Sequence, residues 1–443
     1  MYDLIIIGAS TTGAYLARKI ASAGFKVKVI EKLPREKVGS KYDIFHIAEP
    51  DFALHDIPRP VRGDPAWAFE FVENYTADPY DKFRKNSSGS VTVGLHMAEY
   101  TRILCDLAAE AGADIEYGAE FTGFIFENDR IAGVKYISGG DEREERSLMV
   151  ADCSGIPAVG RTALPFSYGI DTDRLAGGDM FYVVLRYIRF KNESDRINGS
   201  CGWPFYKTWI APCQDPGGAI LGIGATEGYD HCDEVWEQFI KNVPLPEYEL
   251  ERIERGATPY TPAPYSFVAD NFMVCGDAAC LTKPMNGEGV TSSMVQIDAA
   301  EPILTRALKY KTVSKRDLWS INKAYNVVQG ADFAAARALL TVVVNAVTID
   351  EFYSAFAEGI ISDELLSSDL QPSFSDLASA VGRFASAAAR RKFSRGTLAA
   401  AAKAVRLSGV LKKHYLAFPD DPDGYADWCE RADSLWQRVG KMK

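Results

Sequence analysis

The chain has 443 residues, 47% hydrophobic and 25% charged, a globular balance with more residues than one core usually covers, so two or three domains are expected. With 60 Asp and Glu against 49 Lys and Arg the formal net charge is −11, which argues against a general nucleic-acid binder built on a basic surface. Eight cysteines with no CxxC pair and only five histidines indicate neither a disulfide framework nor a zinc site, and suit a reducing compartment.

Tyr2-Asp3-Leu4-Ile5-Ile6-Ile7 is a β-branched run without polar alternation, the pattern of a strand buried on both faces of a parallel sheet. It ends at Gly8, and Gly8-Ala9-Ser10-Thr11-Thr12-Gly13 opens a helical pattern (Ala14, Leu16, Ala17, Ile20, Ala21) that stops at Gly24. Lys26-Val27-Lys28-Val29-Ile30 then reads as a second strand ending in Glu31. This is a β-α-β unit with an acid eighteen residues after Gly13, where a ribose hydroxyl pair is held, and with a helix start that offers unpaired N–H groups to a pyrophosphate. Ser10 stands where the middle glycine of such turns is usual, and its hydroxyl can donate to a phosphate. No leader precedes the first strand and no uninterrupted apolar run is long enough to span a bilayer, so a cytoplasmic protein is expected, membrane-peripheral at most.

A helix is predicted over 97–111 and a strand over 114–117; another strand ends at Asp152-Cys153-Ser154-Gly155, with Arg161 just beyond. Residues 165–264 alternate aromatic and polar positions in the manner of antiparallel strands, and carry Trp203-Pro204-Phe205-Tyr206-Lys207-Thr208-Trp209-Ile210-Ala211-Pro212. A further strand runs into Cys275-Gly276-Asp277, followed by Pro284, Asn286-Gly287-Glu288-Gly289-Val290 and a helical run through Leu304. Helical patterns then fill 319–340, 342–356, 377–392 and 397–413. From Asp376 to Asp420 there is no other acid, while Arg383, Arg390, Arg391, Lys392, Arg395, Lys403, Arg406, Lys412 and Lys413 are basic. A solvated helix face paired with the chain's own acids is the plainer reading of this stretch, and contact with anionic lipid headgroups or a phosphate-bearing substrate is the other.

Strand, Gly-Asp, proline, glycine pair and helix, downstream of the N-terminal β-α-β unit, resemble the flavoprotein superfamily of p-hydroxybenzoate hydroxylase type, and within it the geranylgeranyl reductase family of prenyl-lipid reductases. The resemblance implies an α/β chain, α+β overall. A discontinuous Rossmann-like FAD-binding domain would cover 1–164 and 265–330, an antiparallel-sheet substrate domain 165–264, and a C-terminal helical region 331–443. It implies that Gly8, Ala9, Ser10 and Gly13 face the pyrophosphate of FAD, that Glu31 and Lys32 border its ribose, and that Met97 and Phe121 lie along it. Asp277 would accept from a ribityl hydroxyl, Pro284 would wall the flavin ring, and Gly287, Gly289 and Val290 would line its edge. Tyr206, Trp209 and Pro212 fall in the family's aromatic substrate motif, of which Trp209 and Pro212 match while Lys207 and Ala211 replace a tyrosine and a phenylalanine.

Two further departures stand out. Met97 replaces the Arg or Gln usual in the superfamily, and Gly39-Ser40-Lys41-Tyr42-Asp43-Ile44-Phe45-His46 lacks the Pro-Cys-Gly turn of the archaeal reductases. An acid for C=C reduction then has to come from elsewhere, with Tyr42, Asp43 and His46 as local candidates. The expected activity is hydride transfer from reduced flavin to a C=C bond of a hydrophobic, isoprenoid-like lipid, with NAD(P)H or ferredoxin as electron donor and without nucleic acid or metal. The rivals are a flavin monooxygenase and a non-catalytic flavin or lipid binder, since one scaffold hosts many reactions.

Overall fold

The apolar N-terminal run seeds the first sheet. In the computed structural model, which describes every residue except Lys41, Ser88, 367–373 and 441–443, Tyr2–Ile7 lies between Val27–Glu31 and the second half of Asp141–Asp152, parallel to both. Asp114–Tyr117 extends this sheet on one side and Phe272–Val274, then Val268–Ala269, on the other. Leu4, Ile5 and Ile6 have no exposure, as a two-sided parallel strand requires. Helices Thr11–Ser22, Met97–Glu110 and Val290–Tyr310 pack together against it, the first burying Ala14, Leu16, Ala17 and Ile20 at helical spacing. The acidic first half of Asp141–Asp152 leaves the core and joins Arg130–Ser138 and Ala119–Glu127 in an antiparallel meander.

A second sheet has the order Tyr248–Pro259, Met180–Phe190, Gly218–Ala225, Thr208–Pro212, Ser200–Trp203, Asn74–Ala77, Arg84–Asn86. Its last two strands come from before residue 165. Alternation divides its faces: Val184, Ile188, Trp203, Tyr206 and Ile223 pack on the helix Tyr229–Asn242 through Phe239, while Leu185, Tyr187, Trp209 and Ile220 face the other way. That second face meets Phe69 and Phe71 of a small antiparallel sheet built from Ile44–Ala48, Thr92–His96 and Trp67–Phe71.

The C-terminal part is helical. Lys315–Val344 is one continuous rod whose middle, Asn326–Gly330, is wound as a π turn. Charged residues such as Lys323, Asp332 and Arg337 interrupt it, in keeping with the absence of an uninterrupted apolar run in the sequence, though by length and a mean hydropathy of 1.5 over its most apolar stretch this helix could cross a bilayer. Close to half of that stretch, 44%, is buried inside the protein, packed against Arg395–Leu416 and Val290–Tyr310, and a core helix passes the same test. Ile349–Ala357, Phe374–Ala389 and Tyr425–Val439 complete the region. Of the basic run, Arg390 pairs with Glu358 and Lys412 with Asp332, while Arg391, Lys392, Arg395, Lys403, Arg406 and Lys413 are exposed. The chain is α/β with a Rossmann-like parallel sheet, an antiparallel sheet and C-terminal helices, as its sequence led us to expect.

Candidate functional site

Parallel register brings the two glycine-rich turns to one edge. Ile7 pairs with Asp152 and Asp152 with Val274, so Gly8, Cys153 and Cys275 all follow at the same end of the sheet. Gly8 has φ of +99°, and a Cβ there would sit 2.6 Å from the Cys153 carbonyl oxygen; a Cβ on Gly13 would strike the Gly8 carbonyl, so strand and helix meet backbone to backbone. Gly276, at φ +64°, has room for a Cβ only 2.7 Å from Oγ1 of Thr12, which opens the first helix. The downstream turn therefore rests directly on the upstream one. Asp277 follows it, and the Cβ position of Gly289 is 3.3 Å from the Asp277 carboxylate, which puts the start of the helix Val290–Tyr310 beside that side chain.

Neither helix start has a side-chain cap at its N-cap residue, Ser10 or Gly289, and neither has an acid in its first turn. At the second helix Glu288 intervenes: its carboxylate accepts from the Thr291 N–H at 2.6 Å and from the Thr291 hydroxyl at 2.8 Å. It offsets part of the dipole that the Gly287–Val290 backbone would present. Ser10 is exposed at the first turn and Ala9 is buried, its N–H donating at 2.8 Å to Glu31. Glu31 also accepts from the Leu33 N–H at 2.8 Å, so its buried carboxylate is fixed by backbone at both oxygens, each of which keeps a lone pair. Lys32 is exposed. Met97 begins its helix with its N–H on the Asp43 carbonyl at 2.7 Å. Phe121 lies on Ala119–Glu127, whose ladder runs to Arg130–Ser138, with its ring on Phe124 at 5.0 Å.

Buried Asp152 and Arg161 brace the downstream turn. The Asp152 carboxylate accepts the N–H groups of Ser154 and Arg161, and burial raises its pKa above the usual carboxylate range. Arg161 donates from Nε to the Ala278 carbonyl at 3.0 Å, one residue past Asp277. This brace is invisible to sequence spacing because 117 residues separate its ends.

The face of the second sheet turned toward these turns is paved with aromatics laid on glycines. Trp209 covers the Gly222 position, Phe181 covers Gly224 and Tyr42 covers Gly256, places where any Cβ would collide with a ring. Trp209 is thus in the wall facing the small sheet. Tyr206 is on the opposite face, its hydroxyl on the Pro79 carbonyl at 3.1 Å and its ring 5.6 Å from Phe239. Pro212 closes its strand opposite Ala219. Pro284 is buried, and its carbonyl accepts from the Tyr260 hydroxyl at 3.0 Å. The Tyr260 ring packs at a tilt against Phe181, 5.2 Å between centroids, and Lys207 Nζ stands 5.8 Å from the Phe181 ring, its pKa lowered by burial.

A cleft of about 420 Å³ opens between the two sheets, lined by Ser40, Tyr42, Asp43, Pro65, His96, Ala98, Glu99 and Glu254. At its wall His96 Nδ1 is 2.8 Å from Asp43, whose second carboxylate oxygen pairs with Arg252. His96, Arg252 and the hydrogen bonds they make hold the Asp43 carboxyl below its usual range, so Asp43 is an acceptor and the imidazole donates from Nδ1, with Nε2 outside this pair. The sequence marked Asp43 and passed over His96, the residue before Met97. Of the other two acid candidates, burial pushes the Tyr42 phenol up. His46 is enclosed between Phe69 and Phe71, and burial brings its pKa down to about 4. Tyr42 therefore keeps its proton at neutral pH as a weakened acid, and the His46 ring is neutral there.

No protein-family model matches the chain. Digeranylgeranylglycerophospholipid reductase 2 of Methanococcoides burtonii is 28% identical over 348 residues, 73% of this chain and 82% of the relative. The chain resembles the geranylgeranyl reductases. Digeranylgeranylglycerophospholipid reductase of Sulfolobus acidocaldarius is similar over 99% of this chain and 98% of its own length, at 22% identity. The crystal structure of a geranylgeranyl bacteriochlorophyll reductase-like protein from Thermoplasma acidophilum superposes with a TM-score of 0.72 at 20% identity, covering 86% of this chain and 96% of the other. The resemblance to the geranylgeranyl reductases read from the Gly-Asp motif is borne out, and it extends into the C-terminal helices.

Proposed function

We propose that the chain is an FAD-dependent reductase of C=C bonds in an isoprenoid lipid. What carries the reading is the contact of the two turns: Gly276 against Thr12, with Asp277 and Gly289 beside them, gathers both glycine-rich turns at the end of the parallel strands, the place where folds of this kind take a dinucleotide. The chemistry of the groove suits FAD. Backbone N–H groups of residues 11–13 would hold the pyrophosphate, Glu31 would accept from the adenosine ribose and Asp277 from the ribityl chain. An acid, Glu31, at the end of the second strand is in keeping with a ribose that lacks a 2′-phosphate. When bound and reduced, FAD supplies a hydride at its ring.

The chain's residues do the rest. Pro284 and the Trp209–Phe181 wall exclude water and lay an apolar chain flat. His96 carries the proton for the second carbon on Nε2, and Asp43 positions it. Trp209 is the substrate-facing member of the aromatic motif, while Tyr206 supports the sheet from behind.

Purified protein is expected to be yellow and, reduced under argon and mixed with a geranylgeranyl lipid, to add two hydrogens per double bond as read by mass spectrometry. A product that gains an oxygen atom and forms only in air would make the chain a monooxygenase. Colourless protein that takes up no FAD would leave a binding protein. The donor, NAD(P)H or ferredoxin, is the one that bleaches the flavin without air.

A further inference from the structure

Three arginines are buried: Arg161, Arg186 and Arg337, at 1%, 9% and 7% exposure. The first donates to the carbonyls of Ala278 and Asp171, the second to Asp233. Arg337 alone of the three has no hydrogen bond or ion pair among the described residues. Its guanidinium, on the core helix Lys315–Val344, stands 4.4 Å from the Tyr260 ring centroid, and the other titratable groups around it are the phenols of Tyr325 and Tyr415 and the thiol of Cys280. A buried cation faced only by neutral groups destabilises a fold unless something pairs with it.

That cation borders a cavity. Its walls include Pro264, Phe267, Phe333 and Tyr415, with Pro284 at one side, and the lining contains no carboxylate. Asn326, Thr261 and Thr282, with the phenols of Tyr265 and Tyr325, the Cys280 thiol and the Trp436 indole, supply the remaining polar side chains. The free space is narrow, about 30 Å³, so what reaches the guanidinium is the tip of a ligand and not its chain. The position is specific: Tyr260, against which Arg337 lies, donates to the Pro284 carbonyl, the wall assigned above to the flavin ring.

We propose that Arg337 is the anchor for a phosphate group at the inner end of this cavity, where a lipid substrate presents its head while its prenyl chain lies along the Pro284 and Phe181 side. A planar guanidinium matches two phosphate oxygens, and with apolar walls the pairing is strong. The attached chain being a prenyl lipid rests on the reductase reading; the anion site does not.

Binding without turnover separates the two. The FAD-loaded protein is titrated calorimetrically with geranylgeranyl phosphate, geranylgeraniol and inorganic phosphate. The wild type is expected to bind the phosphorylated lipid roughly 100-fold tighter than the alcohol, and Arg337→Met to abolish that ratio while leaving the alcohol's affinity and the FAD content unchanged. Arg337→Lys keeps part of it, as a point charge without the fork. Because the cation is unpaired, Arg337→Met is also expected to raise Tm by about 2–5 °C, the reverse of what loss of a structural arginine does. Competition by inorganic phosphate alone at low millimolar concentration would name free phosphate as the ligand of the same site. Equal affinity for lipid phosphate and alcohol in the wild type, a ratio that survives Arg337→Met, or loss of FAD from that variant would each overturn the proposal. A protein that binds lipid phosphate through Arg337 but reduces no double bond keeps the site and loses the reaction.

Discussion

Single side chains decide where protons go in this protein. His46 is enclosed by Phe69 and Phe71, its Nε2 has no hydrogen-bond partner, and its pKa is down at about 4 against 6.5 when unfolded. Above pH 6.5 the ring is neutral in both states and contributes nothing to the pH dependence. As pH falls from 6.5 toward 4 the unfolded chain takes up the proton first, so stability is lost in that window. At pH 4.5 the loss is roughly 2–3 kcal/mol, and His46→Phe should remove it, seen as a smaller drop in the urea midpoint between pH 7 and 4.5 than wild type shows. His96, which lines the cleft, is held at Nδ1 by ionised Asp43 at 2.8 Å. His96→Gln should lower kcat about 10–100-fold with little change in KM or in the rate at which the donor reduces the flavin. Equal losses in flavin reduction and lipid turnover would instead mark His96 as part of the cofactor's binding site.

At the scale of elements, Glu351 ties two helix starts together. It closes a capping box with Thr348, accepting the Thr348 N–H at 3.0 Å, and its other oxygen accepts the Ser394 N–H at 2.6 Å and the Thr397 hydroxyl at 2.8 Å. These donors hold its pKa at about 2, below the unfolded 4.5, despite burial. The contribution is present above pH 4.5 and is lost as pH falls toward 2; at neutral pH it is about 3 kcal/mol. Glu351→Gln keeps the shape but drops the charge, and should lower stability by about 2 kcal/mol at pH 7 and by less near pH 3, measured by chemical denaturation. The capping box could be read in the sequence, because Thr348 and Glu351 are three residues apart; the second half of the tie could not, because Ser394 is 43 residues on. The same division holds elsewhere. The β-α-β unit was legible from local periodicity. The small sheet of Ile44–Ala48, Thr92–His96 and Trp67–Phe71, with its strands pairing out of chain order, was not. The motif put Trp209 and Tyr206 together in the substrate wall, but Tyr206 lies in the one-turn helix Pro204–Tyr206 ahead of the strand Thr208–Pro212, and that bend, which strand alternation does not carry across, sends the two rings to opposite faces.

For the whole molecule the question is whether the groove between the two turns is one site. Its halves come from residues 8–13 and 276–290, and they touch only because the strand ending at Asp152 stands between the strands ending at Ile7 and Val274. A ligand spanning both halves links the first strand to the downstream helix, so its binding free energy adds to the stability of the whole fold. Stripping the cofactor should therefore lower Tm, and returning FAD at 1,000 times its Kd should restore about 4 kcal/mol. Asp277→Ala removes an acceptor at the downstream half only. If one ligand spans the groove, the variant loses affinity for FAD by about 10–100-fold, and the stabilisation that FAD gives to the upstream half falls with it, read by amide hydrogen exchange in Thr11–Ser22. Adenosine diphosphate, which reaches the upstream turn alone, should still protect that helix in Asp277→Ala as well as in wild type. Protection by FAD that is indifferent to Asp277 would mean that the two turns, though in contact, serve different ligands, and the reductase reading would fall with their separation.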